Sequence, residues 1–111
     1  MNKKDFLKLG EIYDEAVKKE EKISSTMESL FDKDTVIMFY QFSSLIYKTL
    51  EITLKQDYIL SDGENDDGWL SYFVYEAKGN NMEVKSGEHK YILNTWEDFY
   101  NFLECEQKKE S

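Results

Sequence analysis

Apolar residues recur at helical spacing from the start of the chain: Phe6, Leu9, Tyr13, Ala16 and Val17 step by three or four and predict an amphipathic helix over about residues 4–22. Asp14 with Lys18 and Glu15 with Lys19 are i,i+4 pairs in the favoured acid-to-base order, as expected of a solvated face. Ser25 followed by Glu28 has the capping-box form, which predicts a new short helix carrying Met27, Leu30 and Phe31. Asp32 or Asp34 then caps a third segment. From Thr35 to about Lys55 the positions Val36, Tyr40, Tyr47, Leu50 and Leu54 give a broad apolar face, and this segment is expected to be the central helix of the core. Residues 49–54, Thr-Leu-Glu-Ile-Thr-Leu, also alternate with a period of two and hold three β-branched residues, so a strand is the alternative there. No Gly, Pro or Asn breaks the run before Asp57, which favours helix.

Beyond this the pattern changes. Ser61-Asp62-Gly63-Glu64-Asn65-Asp66-Asp67-Gly68 reads as a loop. Its oxygen ligands invite a calcium reading, but an EF-hand frame begun at Asp62 puts Asp67 where the glycine belongs and Phe73 where the bidentate glutamate belongs. A solvated loop or a partner contact is the better reading. Residues 68–78 fit either an aromatic strand or a short helix capped by Asp67 and stopped by Gly79. Helix is preferred because Trp69, Leu70, Phe73, Val74 and Ala77 share one face. Met82–Lys85 and Glu88–Leu93 predict a β-hairpin about a Ser86-Gly87 turn. Asn94 or Thr95 caps a last helix with Trp96, Phe99, Tyr100 and Leu103 on its apolar face.

The fold class expected is therefore mainly α (α+β), with amphipathic helices around one aromatic-rich core and a small C-terminal hairpin before the last helix. With 111 residues, 41% hydrophobic and 15% aromatic, there is material for one core and not two, so residues 1–106 are read as one domain and 107–111 as a frayed tail. No apolar run approaches the roughly 20 residues that span a bilayer. The single Cys105 gives no internal disulfide and no sign of an oxidising compartment. A cytoplasmic protein without membrane contact is expected. The absence of arginine and proline suggests an AT-rich coding sequence, as in low-GC bacteria and their phages.

Charge divides the chain. Residues 57–106 hold twelve Asp and Glu against Lys78, Lys85 and Lys90, net −9, whereas residues 1–56 hold ten acids against nine lysines. An anionic surface suits a basic protein partner and repels nucleic acid.

The run Trp69-Leu70-Ser71-Tyr72-Phe73-Val74-Tyr75-Glu76, followed by a glycine and later by Thr95-Trp96-Glu97-Asp98-Phe99-Tyr100, resembles a pattern in small phage and prophage proteins. There it reads Trp, Leu or Ile, Ser, aromatic, Phe, Val or Ile, aromatic, Glu, and the likeness covers about residues 66–103. Ala77-Lys78 departs from the Asn, Asp and Phe usual before the glycine. The resemblance implies a mobile-element origin, a host-directed or defence-directed role, and no catalytic residues.

Chemistry by side chain is sparse. His89 is the only histidine and stands between Glu88 and Lys90. One Cys and one His make no usual zinc set, Ser43-Ser44 lacks a glycine-flanked elbow, and five glycines form no phosphate loop. No enzyme activity, metal or cofactor is expected. The candidate partner-binding residues are the carboxylates Asp62, Glu64, Asp66, Asp67, Glu97 and Asp98, with Tyr72 and Tyr75 as aromatic contacts and Tyr58 and Tyr100 as further exposed tyrosines. The function expected is that of a DNA-mimic-like inhibitor, anti-CRISPR or anti-restriction in type, occluding a basic host or defence protein. An immunity or antitoxin-like protein, or a homo-oligomeric phage accessory protein, is the alternative.

Overall fold

The computed structural model describes residues 1–30, 32–61 and 68–107. Two long helices, α1 (Lys3–Leu30) and α2 (Lys33–Lys55), fold back on each other. A short α3 (Gly68–Tyr72) widens into a π-helical turn (Phe73–Ala77). Strands β1 (Met82–Ser86) and β2 (His89–Leu93) form a hairpin, and α4 (Trp96–Phe102) ends in a second π turn (Leu103–Gln107). The fold is mainly α with a small antiparallel hairpin, as the pattern of the sequence predicts.

Local chemistry explains most boundaries. Asn2 starts α1, its Oδ1 accepting from the Asp5 amide at 2.8 Å. Ser25 and Glu28 do not open a new helix: α1 runs through both, because no glycine or proline interrupts residues 11–30 and a capping-box sequence permits a helix start without requiring one. The break comes at Asp32, whose side chain caps α2 by accepting from the Thr35 amide at 2.8 Å. That hydrogen bond also holds the Asp32 carboxyl below its ordinary pKa. Residues 49–54 are helical. Thr49 and Thr53 donate their hydroxyls to the carbonyls of Leu45 and Thr49 at 2.7 and 2.8 Å, which accommodates β-branched polar residues inside a helix. Tyr58 and Leu60 lie in the stretch after α2 and are buried, and the Trp69 amide donates to the Leu60 carbonyl at 2.7 Å, tying the start of α3 to that stretch.

In the hairpin Ser86 pairs with His89, so the turn expected at Ser86-Gly87 is corrected by one residue: Ser86 ends β1, and Gly87-Glu88 is the two-residue loop. Gly87 has φ +63° and Glu88 has no positive φ, the arrangement in which glycine takes the first turn position. Thr95 then caps α4 through a full capping box: its Oγ1 accepts from the Asp98 amide at 3.2 Å, and Asp98 Oδ2 accepts from the Asn94 and Thr95 amides at 3.1 and 3.0 Å.

The core is built largely of rings. Phe73 stacks on Phe99 at 4.5 Å and 13°, and meets Trp96 edge-on at 4.8 Å. Phe6 of α1 enters this cluster, with Tyr58, Trp96, Phe99 and Tyr100 rings around it at 5.3–6.2 Å. Leu54, Leu60, Leu93, Phe102 and Leu103 fill the remainder. Gly10 allows the approach of α1, since a Cβ there would lie 2.5 Å from Trp96 Cγ. The expectation that α2 is central to the core is corrected: among its described side chains only Leu50 and Leu54 are buried, while Ile37, Leu45 and Ile52 face outward. Consequently the molecule is elongated, 53 × 29 × 27 Å, with the α1–α2 hairpin projecting from an aromatic platform.

Candidate functional site

The carboxylates expected to face a partner have different fates. Asp62, Glu64, Asp66 and Asp67 lie outside the described residues. Asp98 is half-buried and engaged in the capping box, so it serves the fold. Glu97 is exposed and accepts an ion pair from Lys3 of α1. Asp57 pairs with the Met1 amino group, and Glu83 lies 3.7 Å from Lys90 across the hairpin. Glu104 accepts the Tyr58 hydroxyl; Glu106 accepts Tyr91 through Oε1 and Ser86 through Oε2 at 2.9 Å. Much of the acidic half therefore organises its own tertiary structure. Glu76 and Glu88 are exposed.

These acid–tyrosine pairs also fix protonation. Burial first, and the Glu106 carboxylate second, push Tyr91 up to about 12. Burial, then Glu104, raises Tyr58. Both hydroxyls are neutral donors at neutral pH.

Of the aromatic candidates, Tyr58 is buried at 5% exposure and Tyr100 is half-buried against Phe6, which corrects their reading as exposed contacts. Tyr72 is half-buried with its ring edge toward Trp69 at 6.3 Å. Tyr75 is 73% exposed and lies within the π turn, which also presents Glu76. The wide turn, closed by the Lys78 amide donating to the Phe73 carbonyl at 2.8 Å, keeps Phe73 and Ala77 in the core and leaves Tyr75 outside it.

Tyr75 borders a cleft of about 260 Å³ between the hairpin and the platform, lined also by Tyr13, Ser44, Tyr47, Leu70 and Val74. Tyr13 and Tyr47 lie 5.1 Å apart, and Tyr47 donates to Glu20 Oε2 at 2.6 Å. Burial is the main cause that raises both hydroxyls; the neighbouring Tyr75 adds to it at Tyr13, and Glu20 at Tyr47. Lys78 pairs with Asp14 and sits over the rings of Tyr13 and Trp96 at 5.2 and 5.8 Å. Asp14 Oδ2 in turn accepts the Trp96 indole N–H at 3.1 Å. With Lys48 and Glu51 also on the wall of the cleft, the arrangement offers neutral hydroxyls, aromatic faces and one charge of each sign, a chemistry of binding by hydrogen bonds, stacking and ion pairing. Sequence reasoning read Tyr13 and Tyr47 as core positions and Asp14 as solvated surface, since nothing local signals that α1, α2 and α3 converge here.

His89 is exposed, 6.5 Å from the Tyr91 ring, and Cys105 is exposed in the last turn. Among the described residues no group of three His, Cys, Asp or Glu is placed to hold a metal ion, and no helix is long and apolar enough to cross a membrane. Comparison of the chain with protein-family models, curated proteins and solved structures finds no match.

Proposed function

We propose that this chain is a non-enzymatic acidic binding protein of phage or mobile-element type. It occludes the basic surface of a nucleic-acid-binding host or defence protein, as an anti-CRISPR or anti-restriction inhibitor would. The observation that supports this reading is Tyr75, a large aromatic 73% exposed beside Glu76 on the half of the chain that carries net −9. An exposed aromatic anchor within a charged surround is how tight interfaces are commonly built, and complementary charge speeds association.

Competition tests the reading. A restriction endonuclease or CRISPR effector from a low-GC bacterium is loaded with fluorescent DNA, and the chain is titrated in at low and moderate salt. The expected result is DNA release that weakens steeply as salt rises. A variant with Tyr75→Ala and with Asp62, Glu64, Asp66 and Asp67 changed to Asn or Gln should fold normally and release DNA at least about tenfold less well, a loss of about 1.4 kcal/mol. Glu97 and Asp98 are left intact, because their substitution disturbs the Lys3 pair and the α4 cap. Undiminished release by that variant would overturn the electrostatic account.

A further inference from the structure

A second cleft, of about 390 Å³, shares Tyr13, Tyr47 and Tyr75 with the first and adds Glu20, Glu21 and Lys78, beside the aliphatic Val17 and Val74. Three rings from three elements meet one carboxylate there: Tyr13 and Glu20 come from α1, Tyr47 from α2 and Tyr75 from the π turn. The Tyr13 and Tyr47 rings lie 5.1 Å apart, and Tyr47 donates to Glu20 Oε2 at 2.6 Å. Behind burial, the main cause, Tyr75 adds to the raised pKa of Tyr13, and Glu20, Tyr13 and Tyr75 add to that of Tyr47, so the hydroxyls and the carboxylate form one electrostatic cluster. The cations and carboxylates of this wall are unequally matched. Lys78 is neutralised by Asp14, whereas half-buried Glu20 takes part in no ion pair among the described residues. A carboxylate partly withdrawn from water gains by taking a cation. The rings already hold one: the Lys78 ammonium sits 5.2 Å from the Tyr13 centroid, so a positive group against this cluster is a contact the fold itself makes.

We infer that this cleft takes the guanidinium of an arginine from the basic partner, stacked on the Tyr75 ring and donating hydrogen bonds to Glu20. The inference rests on the inhibitor reading above for the source of that arginine, and it names the contact through which Tyr75 acts. Arginine suits the cleft better than lysine. Its planar head stacks on a ring face and carries five N–H donors, whereas the lysine ammonium is compact and strongly hydrated. Matching acceptors are present: the Glu20 carboxylate provides a charge-assisted bond, and the hydroxyl oxygens of Tyr13 and Tyr47, neutral at neutral pH, accept as well. Charge agrees, since Glu20 and Glu21 stand against Lys78, whose own charge Asp14 offsets, and the wall is left negative. A further copy of this chain cannot supply the guanidinium, because the sequence contains no arginine. Proteins that bind nucleic acid present arginines to phosphate oxygens, and those are the side chains an occluding protein has to capture.

Binding of a fluorescein-labelled Arg-Gly-Ser repeat peptide to the full chain, followed by anisotropy at moderate salt, tests the inference. The arginine peptide is expected to bind at least about threefold more tightly than its lysine counterpart, and the citrulline counterpart, which keeps the shape without the charge, least of all. Glu20→Gln should weaken the arginine peptide at least about tenfold by removing the charge-assisted acceptor. Tyr75→Ala should weaken it about two- to fivefold. Glu20 is half-buried and Tyr75 is exposed, so both variants should keep the wild-type far-ultraviolet circular dichroism spectrum. Glu88→Gln removes the same charge from the exposed hairpin turn and should leave binding unchanged, which separates a site from general attraction to an acidic protein. Arginine and lysine peptides bound alike, an arginine peptide not bound, or Glu20→Gln indistinguishable from Glu88→Gln would each overturn the inference. Arginine-selective binding by a chain that releases no DNA would strike the inhibitor reading and leave this site standing; DNA release without peptide binding would do the reverse.

Discussion

Replacing a glycine inside a helix with alanine ordinarily stabilises it by about 1 kcal/mol. At Gly10 the added Cβ would fall 2.5–2.8 Å from three ring atoms of Trp96. That indole cannot easily retreat: Asp14 accepts its N–H, and Tyr13, Phe73 and Phe6 pack on its ring. Overpacking a fixed aromatic costs about 1–3 kcal/mol and outweighs the propensity gain. Gly10→Ala is therefore expected to destabilise the fold by up to about 2 kcal/mol, visible as a lower urea midpoint at unchanged slope. A midpoint that rises would mean that α1 shifts freely against α4. This requirement was illegible in the sequence, because its cause is a ring from a distant element. Asp14, Glu20, Glu104 and Glu106 were obscured for the same reason: local pattern marks an acid as solvated and is blind to a tyrosine or indole brought to it by tertiary folding.

Elements whose boundaries are written in short-range chemistry were legible. The hairpin and the capped start of α4 follow from residues within four positions of each other, with the turn one residue later than Ser86-Gly87 because Gly87 takes its first position. The α1–α2 boundary did not follow, because Ser25 and Glu28 satisfy a local signature that the unbroken helix overrides. The assignment of α2 to the core also failed: its broad apolar face is divided between Leu50 and Leu54 in the core and Leu45 and Ile52 in water, and periodicity reports an apolar face without reporting what covers it. The capping box of α4 makes a quantitative expectation. Thr95→Ala removes the acceptor for the Asp98 amide and should cost about 1 kcal/mol, with Thr95→Ser restoring most of it. Thermal denaturation of the three proteins checks this, and equal stability of all three would show that Asp98 alone secures the helix start.

Across the whole molecule, the nearly neutral α1 is joined to the acidic half by ion pairs and by ring packing, beside the Trp96 indole hydrogen bond to Asp14. Lys3 pairs with Glu97 and the Met1 amino group with Asp57, while Phe6 enters the ring cluster. The Lys3 and Glu97 side chains are about half exposed, so solvent screening leaves that pair at most about 1 kcal/mol. Phe6 is 1% exposed, and its truncation leaves a cavity among four aromatic rings. Phe6→Ala should cost about 3–5 kcal/mol and Lys3→Gln under about 1 kcal/mol, measured by urea denaturation. Similar losses for the two would mean that ion pairing holds the halves together.

The closing turn of α4 supplies a practical consequence. Cys105, exposed and the only cysteine of the chain, is flanked by Glu104 and Glu106, whose carboxylates anchor the turn to Tyr58 and to Tyr91 and Ser86. A maleimide dye attached to the native thiol would therefore sit on a tethered segment of the acidic half. Its fluorescence anisotropy would follow engagement of a ligand in solution with no engineered label site.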